Sequence, residues 1–180
     1  MKRIFHNILI LSTIVLLSSC LKDETIIGPE SPNSAGAIIE FDNPDYIATG
    51  SLTASVKLAR YVVTVTKGTA SELHLRVNYS GTGKPAPNDV TVGLGIDPAA
   101  LTLHNTQASR SFTLMPAAWY SLPASVVIPS GQAGKDFIVP VNTSNYATGT
   151  TYALPLVITS ATSGTISGNF GAIIVQVVAE

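Results

Sequence analysis

Between residues 72 and 79 the chain alternates without a fault: Glu72, His74, Arg76 and Asn78 are polar, while Leu73, Leu75, Val77 and Tyr79 are apolar. A period of two sends successive side chains to opposite faces of a β-strand, so this stretch is stable with one face on a core and the other in water. A one-residue slip would drive all four polar groups inward, which specifies the register as firmly as the strand. Val90, Val92, Leu94 and Ile96 repeat the pattern and stop at Asp97-Pro98. Val56, Leu58, Tyr61, Val63 and Val65 repeat it again, with a phase slip near Ala59-Arg60 that predicts a bulge or a strand break. Gly68 is expected to turn the chain between the segment 52–66 and the strand that follows.

Shorter apolar runs fill the remainder. Ala37 to Phe41 predicts a first edge strand, ended by Pro44. Phe112-Thr113-Leu114, Val126-Val127-Ile128, Phe137 to Val141, Tyr152 to Ile158 and Ala172 to Val178 add further extended segments. Ala99 to Leu103 reads as a single helical turn, followed by a polar loop from His104-Asn105. Together these give an all-β chain of roughly seven to nine short strands with closely spaced turn signals, the pattern of an immunoglobulin-like β-sandwich. A barrel of similar strand number is the alternative. Cys20 is the only cysteine, so no internal disulfide can form and the core rests on packing alone.

The first residues follow other rules. Lys2 and Arg3 precede an apolar run, Ile8 to Leu17, that is too short to span a bilayer and suits a signal peptide. Leu17-Ser18-Ser19-Cys20 resembles a bacterial lipobox, which makes 1–19 a lipoprotein signal peptide and Cys20 the lipidated residue. Acyl chains on that residue would exceed the two-signal threshold for stable anchoring. Residues 20–36, rich in Pro, Gly and Ser, are expected to be a flexible tether, and 37–180 the sandwich domain. Leu21, in place of the aspartate that resembles an inner-membrane retention signal, favours the outer membrane. Lys22-Asp23-Glu24 resembles the surface-export signal of Bacteroidetes lipoproteins, which points to the cell exterior. Cleavage removes Lys2 and Arg3 and takes the net charge from -1 to -3, so no basic field exists to hold nucleic acid.

Candidate chemistry is sparse. Asp42, Asn43 and Asp45 cluster in a loop, but the spacing, glycine and terminal glutamate of an EF-hand are missing, so turn chemistry accounts for them and no metal is expected. His74 lies on a polar strand face with no second histidine at ligand spacing, which is ordinary surface. Gly81 to Asn88 lacks the Gly-Lys-Ser/Thr ending of a phosphate loop and opens no helix. Trp119 and Tyr120 can stack on the apolar faces of sugar rings, with Tyr146 as a third contact, or they can cap the core of the sandwich. The histidines beyond the signal are His74 and His104, and no Asp-x-Glu pair or Gly-x-Ser-x-Gly elbow occurs. Neither an enzyme nor a cofactor is expected.

The order of several features is familiar: Asp89-Val90-Thr91-Val92, Asp97-Pro98, Leu103-His104-Asn105, Leu114-Met115-Pro116, Trp119-Tyr120-Ser121-Leu122, Val127 to Gly131, and Tyr152 to Leu156. From about Ile38 to Val178 the chain resembles the uncharacterised domain that often begins Bacteroidetes surface lipoproteins and some endoglycosidases of that phylum. Met115, where leucine is commoner, and Pro129 beside the glycine turn depart from the pattern without altering the fold. The resemblance implies an immunoglobulin-like sandwich on the cell surface, associated with polysaccharide utilisation and usually followed by a carbohydrate-binding or catalytic domain. It carries over no catalytic residues, because those belong to the downstream domain and the sequence is expected to end after the sandwich. The expected role is a non-catalytic surface lipoprotein, held in the membrane through Cys20, that serves glycan capture or an outer-membrane glycan-uptake complex. The alternative is a structural or fimbria-like subunit acting as a spacer. A proteolytically matured pilin is disfavoured, since Lys22 is the only basic residue between Cys20 and the first strand.

Overall fold

The computed structural model describes residues 36–43, 48–50, 56–81 and 83–180. The signal segment, Cys20 and the tether through residue 35 lie outside the described residues, as do Pro44, Asp45 and residues 51–55. Strands run over Ile38–Asp42 (β1), Ala48–Gly50 (β2), Ala59–Val65 (β3), Ala70–Ser80 (β4), Val90–Ile96 (β5), Thr113–Leu114 (β6), Ser125–Ile128 (β7), Gly134–Asn142 (β8), Tyr152–Ala161 (β9), Thr165–Ile166 (β10) and Ala172–Ala179 (β11). Pro98–Ala108 forms the helix α1, and Ala117–Trp119 a single 3-10 turn.

Two open sheets result, ordered β10-β1-β4-β8 and β2-β3-β11-β9-β5-β7, with β6 added to β9 where β5 has ended. Neither closes on itself, so the barrel alternative falls and the immunoglobulin-like sandwich stands. The alternation of β4 decides its placement: Leu73, Leu75 and Val77 are fully buried, and with Ile39 they pack in one core with Val92, Leu154, Ile173 and Val175 of the facing sheet. β3 lies parallel to β11, from Ala59 opposite Ile173 to Val65 opposite Ala179, so the last strand of the domain locks one of the first.

The structure departs from the sequence pattern in four places. The described residues contain eleven strands, because pairings as short as β2 and β10 carry too little periodicity to be read. β10 covers β1 in parallel, with the Thr165 N–H on the Ala37 carbonyl at 2.8 Å and the Ser167 N–H on the Ile39 carbonyl at 2.9 Å, so β1 is not an edge. The phase slip at Ala59 is the start of β3; Val56 and Leu58 precede the strand. Most consequentially, the expected single turn at Ala99 to Leu103 is an eleven-residue helix that absorbs His104 and Asn105. Asp97 starts it by accepting the Ala99 N–H at 2.9 Å, with Pro98 already at helical φ in the first turn.

That helix explains the two most apolar strands. Leu101 packs on Ala153 of β9 and Ile174 of β11, flanked by Leu58 and Phe112, on the sheet face that points away from the main core. β9 and β11 are therefore covered on both faces, and their contiguous apolar runs follow. Pro155 stands inside β9 without breaking it, because the side toward which its carbonyl accepts the Asp97 N–H lies between the end of β6 and the end of β5. The N–H that proline lacks would have pointed into that gap.

Candidate functional site

The sequence nominates the aromatic residues first. Pro116 opens the 3-10 turn that presents Trp119, and the β8–β9 connection supplies Tyr146. The Trp119 ring lies 5.5 Å from that of Tyr146 and 5.1 Å, edge-on, from that of Tyr152, while the two tyrosine rings are 4.6 Å apart. Tyr146 and Tyr152 are buried, and the Tyr146 hydroxyl points at the Met115 sulfur at 3.8 Å. Burial, with Tyr152 beside it, raises the Tyr146 pKa well above the usual phenol range. Tyr120 adopts an extended backbone, bridges to Val141 on the free edge of β8 and is half-buried against the core, as is Trp119. Trp119 and Tyr146 thus meet in one cluster, but its stacking surface is spent on the protein itself, which closes one end of the sandwich. The sequence did not single out Tyr152, the cluster's third ring.

A different surface carries free polar chemistry. On the outer face of β1, β4 and β8 the registers set Asp42 opposite Arg76, Arg76 opposite Asp136, Glu40 opposite Asn78, and Asn78 opposite Gly134. The side chains link across the strands. Arg76 Nη1 donates to Asp136 Oδ1 at 2.9 Å and Arg76 Nε to Asn78 Oδ1 at 2.8 Å; Asn78 Nδ2 donates to Asp42 Oδ2 at 2.7 Å. Ser80 Oγ to Glu40 Oε1, at 2.7 Å, continues the row. Gly134 is the floor: a Cβ there would meet the Asn78 carboxamide oxygen and stand 2.7 Å from the Val77 carbonyl, so only glycine lets those side chains lie flat. A groove of about 620 Å³ follows the row, lined also by Asn43 and His74. Burial, then Asp42, then Glu40, push the Tyr61 phenol up to about 12.

His74 faces water, as alternation requires, with Nε2 3.5 Å from Glu72 Oε2. His104 does not. It is buried on the inner side of α1, stacked on Phe112 at 6.0 Å, and neither ring nitrogen reaches a hydrogen-bond partner. Burial lowers its pKa, Arg60 and Arg110 lower it further, and the Leu58 carbonyl works the other way without closing a hydrogen bond. Among the described residues no group of three or more His, Cys, Asp or Glu side chains is placed to hold a metal ion.

A family model described as an N-terminal domain matches residues 41–165. No curated protein matches the chain significantly. Among solved structures, a multidomain protein including DUF1735 from Bacteroides ovatus superposes with a TM-score of 0.62 at 20% identity, over 79% of this chain and 45% of that one. An auxiliary nutrient binding protein from Bacteroides thetaiotaomicron gives 0.58 at 18% identity, over 77% of this chain and 49% of that one. EndoBT-3987 of the same species, solved with a Man5GlcNAc product, gives 0.56 at 18% identity, over 67% of this chain and 28% of that one. The chain spans about half the length, or less, of each of these, and at such identities the likeness is one of fold.

Proposed function

Because the chain belongs to that family of N-terminal domains, a Bacteroidetes domain that begins endoglycosidases, we propose that it is a non-catalytic glycan-capture domain. In this reading Cys20 is lipidated and holds the domain on the outer membrane, facing the cell exterior, where it presents glycan to an uptake complex. The groove over Arg76 and Asn78 is the observation that carries the binding role. Planar carboxylate, amide and guanidinium groups, fixed by their neighbours, match the paired donors and acceptors of sugar hydroxyls and lose little side-chain entropy on binding. The carboxylates of Asp42 and Asp136 are held by Asn78 and Arg76, which suits recognition rather than proton transfer. The likeness in fold to an auxiliary nutrient binding protein supports the same reading.

Calorimetry of the full chain with a panel of neutral oligosaccharides tests it. Binding to at least one member, weakened about tenfold by Asn78→Ala, is expected. If Trp119→Ala abolishes binding while Asn78→Ala preserves it, the site lies at the aromatic end, over Trp119 and Tyr120. If no glycan binds, the spacer or fimbria-like role takes its place.

A further inference from the structure

On the other sheet's side of the molecule, the segment after α1 meets the β8–β9 connection around a cavity of about 370 Å³. Arg110, Ser111 and Thr113 line one wall and Thr150 and Thr151 the other, with Phe112 between. None of these four hydroxyls makes a hydrogen bond within the described residues, and no carboxylate there pairs with Arg110. Arg60 lies over the Phe112 ring, 6.0 Å from its centroid, and donates to Gln176. Burial, then the charge of Arg110, lower the Arg60 pKa, so the two guanidinium groups are near enough to repel. Arg60 and Arg110 thus both lie beside Phe112, and among the described residues neither makes an ion pair.

We propose that this cavity binds the oxyanion of an acidic sugar, with Arg110 on the charged group and the Ser111, Thr113, Thr150 and Thr151 hydroxyls on the ring substituents. A guanidinium fork with hydroxyl partners fits a planar carboxylate or a sulfate ester. At the helix end beside it the Ser109 and Arg110 N–H groups both donate to the Asn105 carbonyl. The site stands apart from the groove on the four-stranded sheet, so either can fail without the other.

The test follows backbone amide resonances of the full chain while galacturonate, glucose 6-sulfate or galactose is added at constant ionic strength. The amides of 109–113 and 149–151 are expected to shift with an acidic sugar, at least about tenfold more tightly than with galactose. The stronger of the two acidic arms assigns the source as uronate or sulfate ester. Arg110→Gln is expected to weaken that binding about tenfold and Arg110→Lys to weaken it less, while Lys135→Gln, an exposed cation of β8, leaves it unchanged. Equal shifts with galactose, an unaffected Arg110→Gln variant, or shifts confined to other amides would overturn the proposal.

Discussion

The two outer faces of the sandwich are built from the same alternation and end in opposite chemistry. On the four-stranded sheet, the outward residues of β4 are Glu72, His74, Arg76 and Asn78, exposed or half-buried, and Arg76 and Asn78 are tied to Asp136 and Asp42 on the neighbouring strands. On the seven-stranded sheet the outward residues of β9 and β11 include Ala153 and Ile174, both fully buried under Leu101 of α1. One face is left wet and carries side chains able to meet a ligand. The other is roofed by a helix and becomes a second small core. A strand's sequence therefore records what covers it: clean alternation where water does, a continuous apolar run where a helix does.

Placing a carboxylate on each face is the strongest way to break this contrast. Ile174→Asp places an unpaired carboxylate under α1 and is expected to cost about 4 kcal/mol or more, or to prevent folding. His74→Asp, the equivalent change on the open face, is expected to stay within about 0.5 kcal/mol in urea denaturation. Similar losses for both would mean that the helix does not seal its face.

A subtler probe uses the histidines. The unfolded chain protonates His104 near the ordinary value of about 6.5, whereas burial, Arg60 and Arg110 hold its folded pKa lower. Stability attributable to the neutral ring is thus complete above that pH and falls as pH drops from it through the folded pKa, with a slope of at most about 1.4 kcal/mol per pH unit. Urea midpoints between pH 7.5 and pH 5 should show the slope, and His104→Leu should remove it while His74→Gln does not. A small effect is also expected from Arg76→Gln. Its pair with the well-exposed Asp136 is a surface ion pair, so the loss should stay below about 1 kcal/mol and shrink further in salt.

Much of the fold was legible in the residues. The strands β4 and β5, the turn at Gly68 and the sandwich class all follow from period-two patterning and turn chemistry. The helix was not legible. Its buried positions, Ala100, Leu101 and His104, make a narrow stripe among threonines, too weak to announce three turns. The groove escaped as well, because Arg76, Asn78, Asp42 and Asp136 are scattered over the chain and read singly as surface or turn residues. Conversely, Trp119, Tyr120 and Tyr146 stood out by type, yet an aromatic's type does not say whether its face is free.

What the sequence alone determined is which side of each alternating strand faces the core, since burying apolar area while leaving polar groups hydrated admits one answer for such a strand. Only the tertiary structure decided what lies on the far side of each sheet. Cross-strand register brought an arginine, an amide and two carboxylates into one row, and a helix with little periodicity of its own gained its apolar face from the sheet it covers. Both outcomes depend on contacts between residues distant in sequence, which local patterning does not encode.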